Sequence, residues 1–145
     1  MTLALAIALS LIVLSSLIHF GALRMVSGRL AGRPVGVAQL LVTVLATFVA
    51  HALVIGLYAL VYGFMTTSPE LGHLSGDFKG GAVEFIYYSA VSYTSLGLGD
   101  IWPHGPVRLI TSLEAINGLF LIGWSVTFTY PLLDACSRQP AKAGA

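Results

Sequence analysis

Charge is what this sequence has least of. Seven Lys or Arg and six Asp or Glu are spread over 145 residues, 9% of the chain, while 57% is hydrophobic. With a mean hydropathy of +0.89, a soluble domain of this length is excluded, and a single compact unit in a bilayer is expected. The net charge of +1 says little about partners, because in a membrane protein the placement of charge outweighs its sum. Nucleic acid is not an expected partner. The single cysteine, Cys136, excludes an intrachain disulfide. Also missing are a cysteine–histidine metal cluster, a phosphate-binding glycine loop and a nucleophile–base pair, so the chain is not expected to be an enzyme or to hold a cofactor. There is no long repeat, low-complexity tract or soluble regulatory domain.

What is present is a set of long apolar runs. Residues 2–23 carry no formal charge and exceed the ~20 residues a spanning helix needs. A cleaved signal peptide would require a basic region ahead of that run and a small-residue cleavage site after it, and neither is evident. Arg24, Arg29 and Arg33 then cluster without an acidic neighbour in residues 24–34, which the positive-inside rule places in the cytoplasm. Pro34 suits the first turn of a second span over residues 35–65. Residues 66–69 end it, and Glu70, Asp77 and Lys79 lie in a loop on the opposite side. A third span covers residues 107–133, with Glu114 inside it and a bend or end expected near Pro131. Residues 134–145, with Asp134, Arg138 and Lys142, form a cytoplasmic tail.

Residues 82–93 are apolar but too short to cross, so they predict a re-entrant helix. Gly80 and Gly81 open it and Glu84 falls in its first turn, where a carboxylate complements the helix dipole. The following stretch, Thr94, Ser95, Leu96, Gly97, Leu98, Gly99 and Asp100, has no economical reading as helix or ordinary loop. Gly97 and Gly99 enter the left-handed region without a Cβ penalty, so alternate carbonyls can be aimed the same way. A ring of such carbonyls can replace a cation's water shell. Thr94 and Ser95 add hydroxyls at one end, and Asp100 adds a charge at the other.

Residues 85–100, FIYYSAVSYTSLGLGD, followed by Pro103 and the third span, resemble the pore module of the potassium-channel superfamily, whose filter reads roughly Thr-Thr/Ser-x-Gly-Tyr/Phe/Leu-Gly-Asp. The resemblance covers residues 35–133. It implies an outer helix (35–65), pore helix (82–93), filter (94–100) and inner helix (107–133), repeated four times around one axis as a homotetramer. It further implies potassium, the permeant ion, at the carbonyls of Ser95, Leu96, Gly97 and Leu98 and the Ser95 hydroxyl. Leu98 departs from the usual tyrosine and resembles the second pore loop of two-pore-domain potassium channels. That substitution removes a phenol, leaving Tyr87 and Tyr88 to be satisfied elsewhere or to pack against Leu98. Val91 stands where some bacterial channels carry a carboxylate. Tyr87 is therefore expected to bond Asp100 from behind the filter.

Several residues on the spans need partners. Glu114 costs on the order of 2.5–3.5 kcal/mol at mid-helix and is expected to brace the filter through pore-helix hydroxyls such as Ser92 or Thr94, direct ion contact being the alternative; Asn117 could join either arrangement. Gly118, Ile122, Ser125 or Val126, and Thr129 form a candidate pore-facing stripe, with Gly118 and Gly123 as possible hinges or as packing glycines. His19 and His51 could in principle ligate haem, but their expected depths differ, and a polar interhelical contact is the default. His104 lies just beyond the filter, as a surface residue or a proton sensor. The first span, lacking regularly spaced arginines, is expected to be a peripheral supporting helix.

The expected fold is thus an all-α membrane protein with three spanning helices, a pore helix and a filter loop. The expected function is passive conduction of monovalent cations by a potassium-selective channel. A weakly selective sodium/potassium channel and a non-conducting scaffold or accessory subunit are the alternatives. The expected setting is a prokaryotic inner membrane, N-terminus outside and C-terminus in the cytoplasm.

Overall fold

The computed structural model describes residues 2–30, 32 and 36–138. Three long helices, α1 (Thr2–Leu30), α2 (Val37–Met65) and α4 (Val107–Ser137), are each long and apolar enough to cross a membrane. Between α2 and α4 lie a short 3-10 turn (Pro69–Leu71), strand β1 (His73–Gly76), helix α3 (Ala82–Tyr93) and strand β2 (Ile101–His104). Both α1 and α3 pack on α2 and α4. The fold is that of an all-α membrane protein, with one small antiparallel ladder, β1–β2, in the segment between α2 and α4.

Each long helix buries a narrow stripe and exposes the rest. On α1 the stripe is Ala4, Ala8, Leu11, Ser15, His19, Leu23 and Val26, recurring every three or four residues. Leu3, Leu5, Leu9, Val13 and Leu17 on its other faces are 45–60% exposed. An apolar outer surface is stable only against lipid or another apolar chain. The interior is filled by Tyr58, Tyr62 and Met65 of α2, Tyr88 and Tyr93 of α3, and Ile110 and Leu121 of α4.

The elements differ from expectation at three places. α1 continues to Leu30, so Arg24 and Arg29 sit on its last turns rather than in a connection. A cation there complements the carbonyl end of the helix dipole, which makes continuing the helix cheaper than ending it. α4 passes through Pro131 to Ser137, where the proline removes one backbone bond without stopping the helix. β1 and β2 arise in what reads as loop. Arg33, Pro34 and Val35, the expected start of α2, and Lys142 of the tail lie outside the described residues.

α3 packs between α2 and α4 and ends against Gly118 of α4, where a Cβ would overlap the Tyr93 carbonyl. Gly118 stands 11 residues into α4, about 16 Å along the axis at 1.5 Å per residue, roughly half a hydrocarbon core. Gly118 therefore acts as a close-packing glycine. Gly123 meets nothing within 4 Å. Gly118→Ala is expected to destabilise the folded chain by about 1–3 kcal/mol through overpacking, while Gly123→Ala leaves it within about 0.5 kcal/mol. Urea unfolding in detergent micelles measures both, and equal losses would remove the close approach as the cause.

Candidate functional site

The pore loop begins with the way α3 stops. The Leu96 amide donates to the Val91 carbonyl at 3.0 Å, the Ser95 amide to that of Ser92 at 2.9 Å, and Ser95 adopts φ 58°. Two such reversed bonds around a left-handed residue form a Schellman termination, usually built on glycine. A serine there accepts about 1–2 kcal/mol of backbone cost. Gly97 and Gly99 follow at φ 57° and 79°, and no positive φ occurs at Leu96 or Leu98. Left-handed backbone therefore recurs at residues 95, 97 and 99. Such an alternation is the backbone pattern in which successive carbonyls can be aimed to one side.

Among the described residues, no hydrogen bond reaches the carbonyls of Ser95, Leu96, Gly97 or Leu98. All of residues 94–100 are exposed on the single chain. The Thr94 hydroxyl turns back to donate to the Ala90 carbonyl at 2.8 Å, which spends its proton on helix α3. Behind the loop lies a groove of about 300 Å3 lined in part by Tyr88, Ser92, Gly97, Gly99 and Thr111.

The far end of the loop is anchored at Asp100. The Tyr87 hydroxyl donates to Asp100 Oδ2 at 2.6 Å, the bond expected from the sequence. The Ile101 amide donates to Oδ1 at 3.0 Å, and the Asp77 amide donates to the Asp100 carbonyl at 2.9 Å, extending the β1–β2 ladder. The Tyr87 bond holds the Asp100 carboxyl below its ordinary range. Tyr88 does not need Leu98 either, because its hydroxyl pairs with Thr111 Oγ1 at 2.8 Å. At the start of α3, Glu84 accepts from the Lys79 amide at 2.7 Å and the Gly81 amide at 3.1 Å, which lowers its carboxyl too.

Glu114 is fully buried, but its partners are not Ser92 or Thr94. Ser89 Oγ lies 2.6 Å from Oε1, and the Tyr62 hydroxyl of α2 donates to Oε2. Ser89 stands one turn above Ser92 on α3, at the height where α4 carries Glu114. The Glu114 carboxyl group thus ties α2, α3 and α4 together behind the loop.

Asn117 turns from that site toward α1, donating to Ser15 Oγ at 2.8 Å and the Tyr58 hydroxyl at 3.3 Å. The two intramembrane histidines meet at one depth, with ring centroids 4.9 Å apart, because α1 crosses close beside α2. Ser125 Oγ lies 3.0 Å from Nε2 of each ring, and His51 Nδ1 lies 2.7 Å from the Tyr93 hydroxyl. These bonds occupy both Nε2 atoms and make the polar interhelical contact expected by default. They form one chain, Tyr93–His51–Ser125–His19, from the base of the pore loop to α1.

The pore-facing stripe on α4 changes accordingly. Gly118 and Ser125 face the chain's own interior, Ile122 is packed against its core, and Thr129 bonds back to the Ser125 carbonyl. Gly123 and Val126 remain on the exposed face. Sequence reasoning missed Tyr58, Tyr62, Ser89 and Ser15 as partners. A signal was available: Tyr58 with Tyr62, and Ser15 with His19, sit four apart in otherwise apolar runs, which marks one helix face as polar.

A family model described as an ion channel matches residues 40–133, from the first turn of α2 to near the end of α4. Comparisons with curated proteins and with solved structures give no match.

Two outcomes follow from these contacts. Glu114→Ala removes the group that joins Tyr62 to Ser89. The Ser89 hydroxyl keeps the Ile55 carbonyl at 2.9 Å and the Tyr62 hydroxyl keeps only Thr111 Oγ1 at 3.3 Å. A loss of about 1–3 kcal/mol in all is therefore expected, whereas Glu114→Gln keeps an acceptor and loses less. Thermal unfolding of the purified variants ranks them, and equal loss would mean the carboxylate is not a tie. Because the Asp100 carboxyl is lowered in the fold, the Tyr87 bond is intact above the ordinary aspartate range and fails as pH falls through the lowered value. Tyr87→Phe should therefore move the Asp100 titration upward in pH, read by the carboxyl carbon in NMR.

Proposed function

The chain belongs to this ion-channel family, carrying the pore module of the potassium-channel superfamily, and from that premise we propose that it is a homotetrameric, potassium-selective channel whose filter is Thr94, Ser95, Leu96, Gly97, Leu98, Gly99 and Asp100. The observation that carries this reading is the row of four carbonyls, at Ser95, Leu96, Gly97 and Leu98, that have no hydrogen-bond partner among the described residues and sit on an alternating backbone. Irregular backbone beside mid-membrane is tolerated only where protein shields it or where it lines an aqueous path. One copy leaves the loop exposed, so it needs further copies around it. Four copies convert each carbonyl into a ring that substitutes for hydration water, and neighbouring bound ions repel one another enough to keep moving.

Selectivity requires that the ring keep its size. Here that stiffness is assigned to Tyr87 on Asp100, to the β1–β2 ladder beyond it, and to the Schellman stop at Ser95, in place of the phenol that Leu98 lacks. Glu114 acts as a brace through Ser89 and Tyr62, and Tyr88 as a further support through Thr111. Val91 supports the loop with its backbone carbonyl. Gly123 and Val126 are the candidates for the pore face of α4. The protein is read as an integral membrane protein of a prokaryotic inner membrane, with Arg24 and Arg29 on the cytoplasmic side and Asp100 at the outer mouth. That orientation agrees with the positive-inside rule. No enzymatic step is assigned.

Purified protein in liposomes is expected to pass potassium down its gradient and to pass sodium at least tenfold more slowly. Gly97→Ala adds a Cβ at φ 57°, at about 1–2 kcal/mol of local strain, and should reduce potassium flux to background. Equal sodium and potassium flux would instead establish a weakly selective channel. A folded, oligomeric wild type without flux would favour the scaffold.

A further inference from the structure

The β1–β2 ladder carries two imidazoles that neither the fold nor the filter uses. His73 and His104 are directly opposed partners in the antiparallel register, so their side chains leave the same face of the ladder. Their rings stack with centroids 4.8 Å apart and planes at 17°. Both residues are exposed, and among the described residues neither ring has a hydrogen-bond partner. Each neutral imidazole therefore keeps a free lone pair. Gly72 and Gly105 flank the pair, and a Cβ on Gly105 would stand 3.1 Å from the Gly72 Cα. The two glycines abut, which holds the strand ends together.

We propose that His73 and His104 form a binding site for a divalent transition-metal ion of the copper, nickel or zinc class. Imidazole nitrogens bind such ions at about 2.0–2.1 Å. Two of them on one tetrahedral ion stand roughly 3.4 Å apart. Stacked rings at 4.8 Å would turn out of parallel about their exposed χ1 and χ2 bonds so that both in-plane lone pairs converge on one ion, while the strand pairing fixes the spacing of the two Cβ atoms. No group of three or more His, Cys, Asp or Glu completes the site among the described residues, so water fills the remaining positions. The affinity order then follows ligand type, with copper above nickel and zinc. Magnesium and calcium, which require oxygen ligands, are not bound.

The position gives the site a consequence. The metal would cross-link β1 to β2 at the end of a ladder whose other end, Gly76 opposite Ile101, adjoins the Asp77–Asp100 bond. A bridged ladder holds the Asp100 anchor more rigidly than two strands paired by backbone alone.

The test uses the full chain in detergent micelles, purified without a polyhistidine tag, titrated with Cu2+ and read by electron paramagnetic resonance. One Cu2+ per chain is expected, with nitrogen hyperfine coupling from two imidazoles, and His73→Gln and His104→Gln should each weaken binding at least tenfold. Zn2+ should raise the thermal midpoint of the wild type and of neither variant. Absence of Cu2+ binding to the wild type, or both variants binding as tightly as wild type, would overturn the site. Circular dichroism and gel filtration of the variants identify any that misfold, and His104→Asn then replaces a misfolded one. Because no step of this test depends on ion flux, its failure is separable from failure of the channel reading.

Discussion

A polar atom inside a bilayer has no water to turn to, and most of this architecture follows from that constraint. The spans carry few such atoms, and nearly all of them meet one another. Glu114 draws Tyr62 from α2 and Ser89 from α3. Asn117 draws Ser15 from α1 and Tyr58 from α2. Ser125 joins His19 and His51. Because Glu114, Asn117 and Ser125 lie along one side of α4, that helix collects the other three around it. Leucines on the outer faces supply no comparable direction, since lipid tails and protein are equally apolar to them. The polar contacts decide which face of each helix turns inward.

The pore loop inherits its geometry from this arrangement. α3 can reach mid-membrane because Gly118 lets its last carbonyl approach α4 without a side chain between. It stops there through a Schellman termination at Ser95, and the left-handed residue that ends the helix is also the first of the alternating series in the loop. Helix stop and the onset of the alternating backbone are therefore one structural event. At the other end, Asp100 is held by Tyr87, Ile101 and Asp77 at once. A loop fixed at both ends, with free carbonyls between, has the form that a multi-copy cage requires.

α1 lies ahead of the matched family region, which begins at residue 40, yet it is not a detached addition. Its buried stripe includes Ser15 and His19, and both bond directly to α4. Through Ser125 and His51 the contact continues to Tyr93, the residue immediately before the pore loop. The helix lies outside the matched region and is connected to it in chemistry. Any motion of α1 that separates His19 from Ser125 leaves buried polar atoms unpaired, which couples its placement to that of the loop.

Much of this was legible in the chain itself. Apolar length announced three spans, because the thickness of a bilayer sets a minimum that composition alone can meet. The run from Thr94 to Asp100 announced its loop, because glycine two apart is a statement about backbone freedom that needs no tertiary context. Tyr87 was legible as the partner of Asp100, since one helix and one tight loop limit what either can reach. The partners of Glu114, the meeting of His19 with His51, and the inward turn of Gly118 and Ser125 were not. Each depends on the rotation and depth of one helix against another, and a helix that is hydrophobic all round carries almost no periodic signal of its orientation. The β1–β2 ladder was hidden for a related reason: four-residue strands are stabilised by the partner they find, and that partner, 28 or so residues away, is brought into register only when α3 folds back into the bundle. Local backbone chemistry and overall hydrophobic length were thus written in the sequence, while helix rotation, depth and the pairing of buried polar groups were decided only by tertiary packing, where the cost of an unsatisfied atom is set by its neighbours.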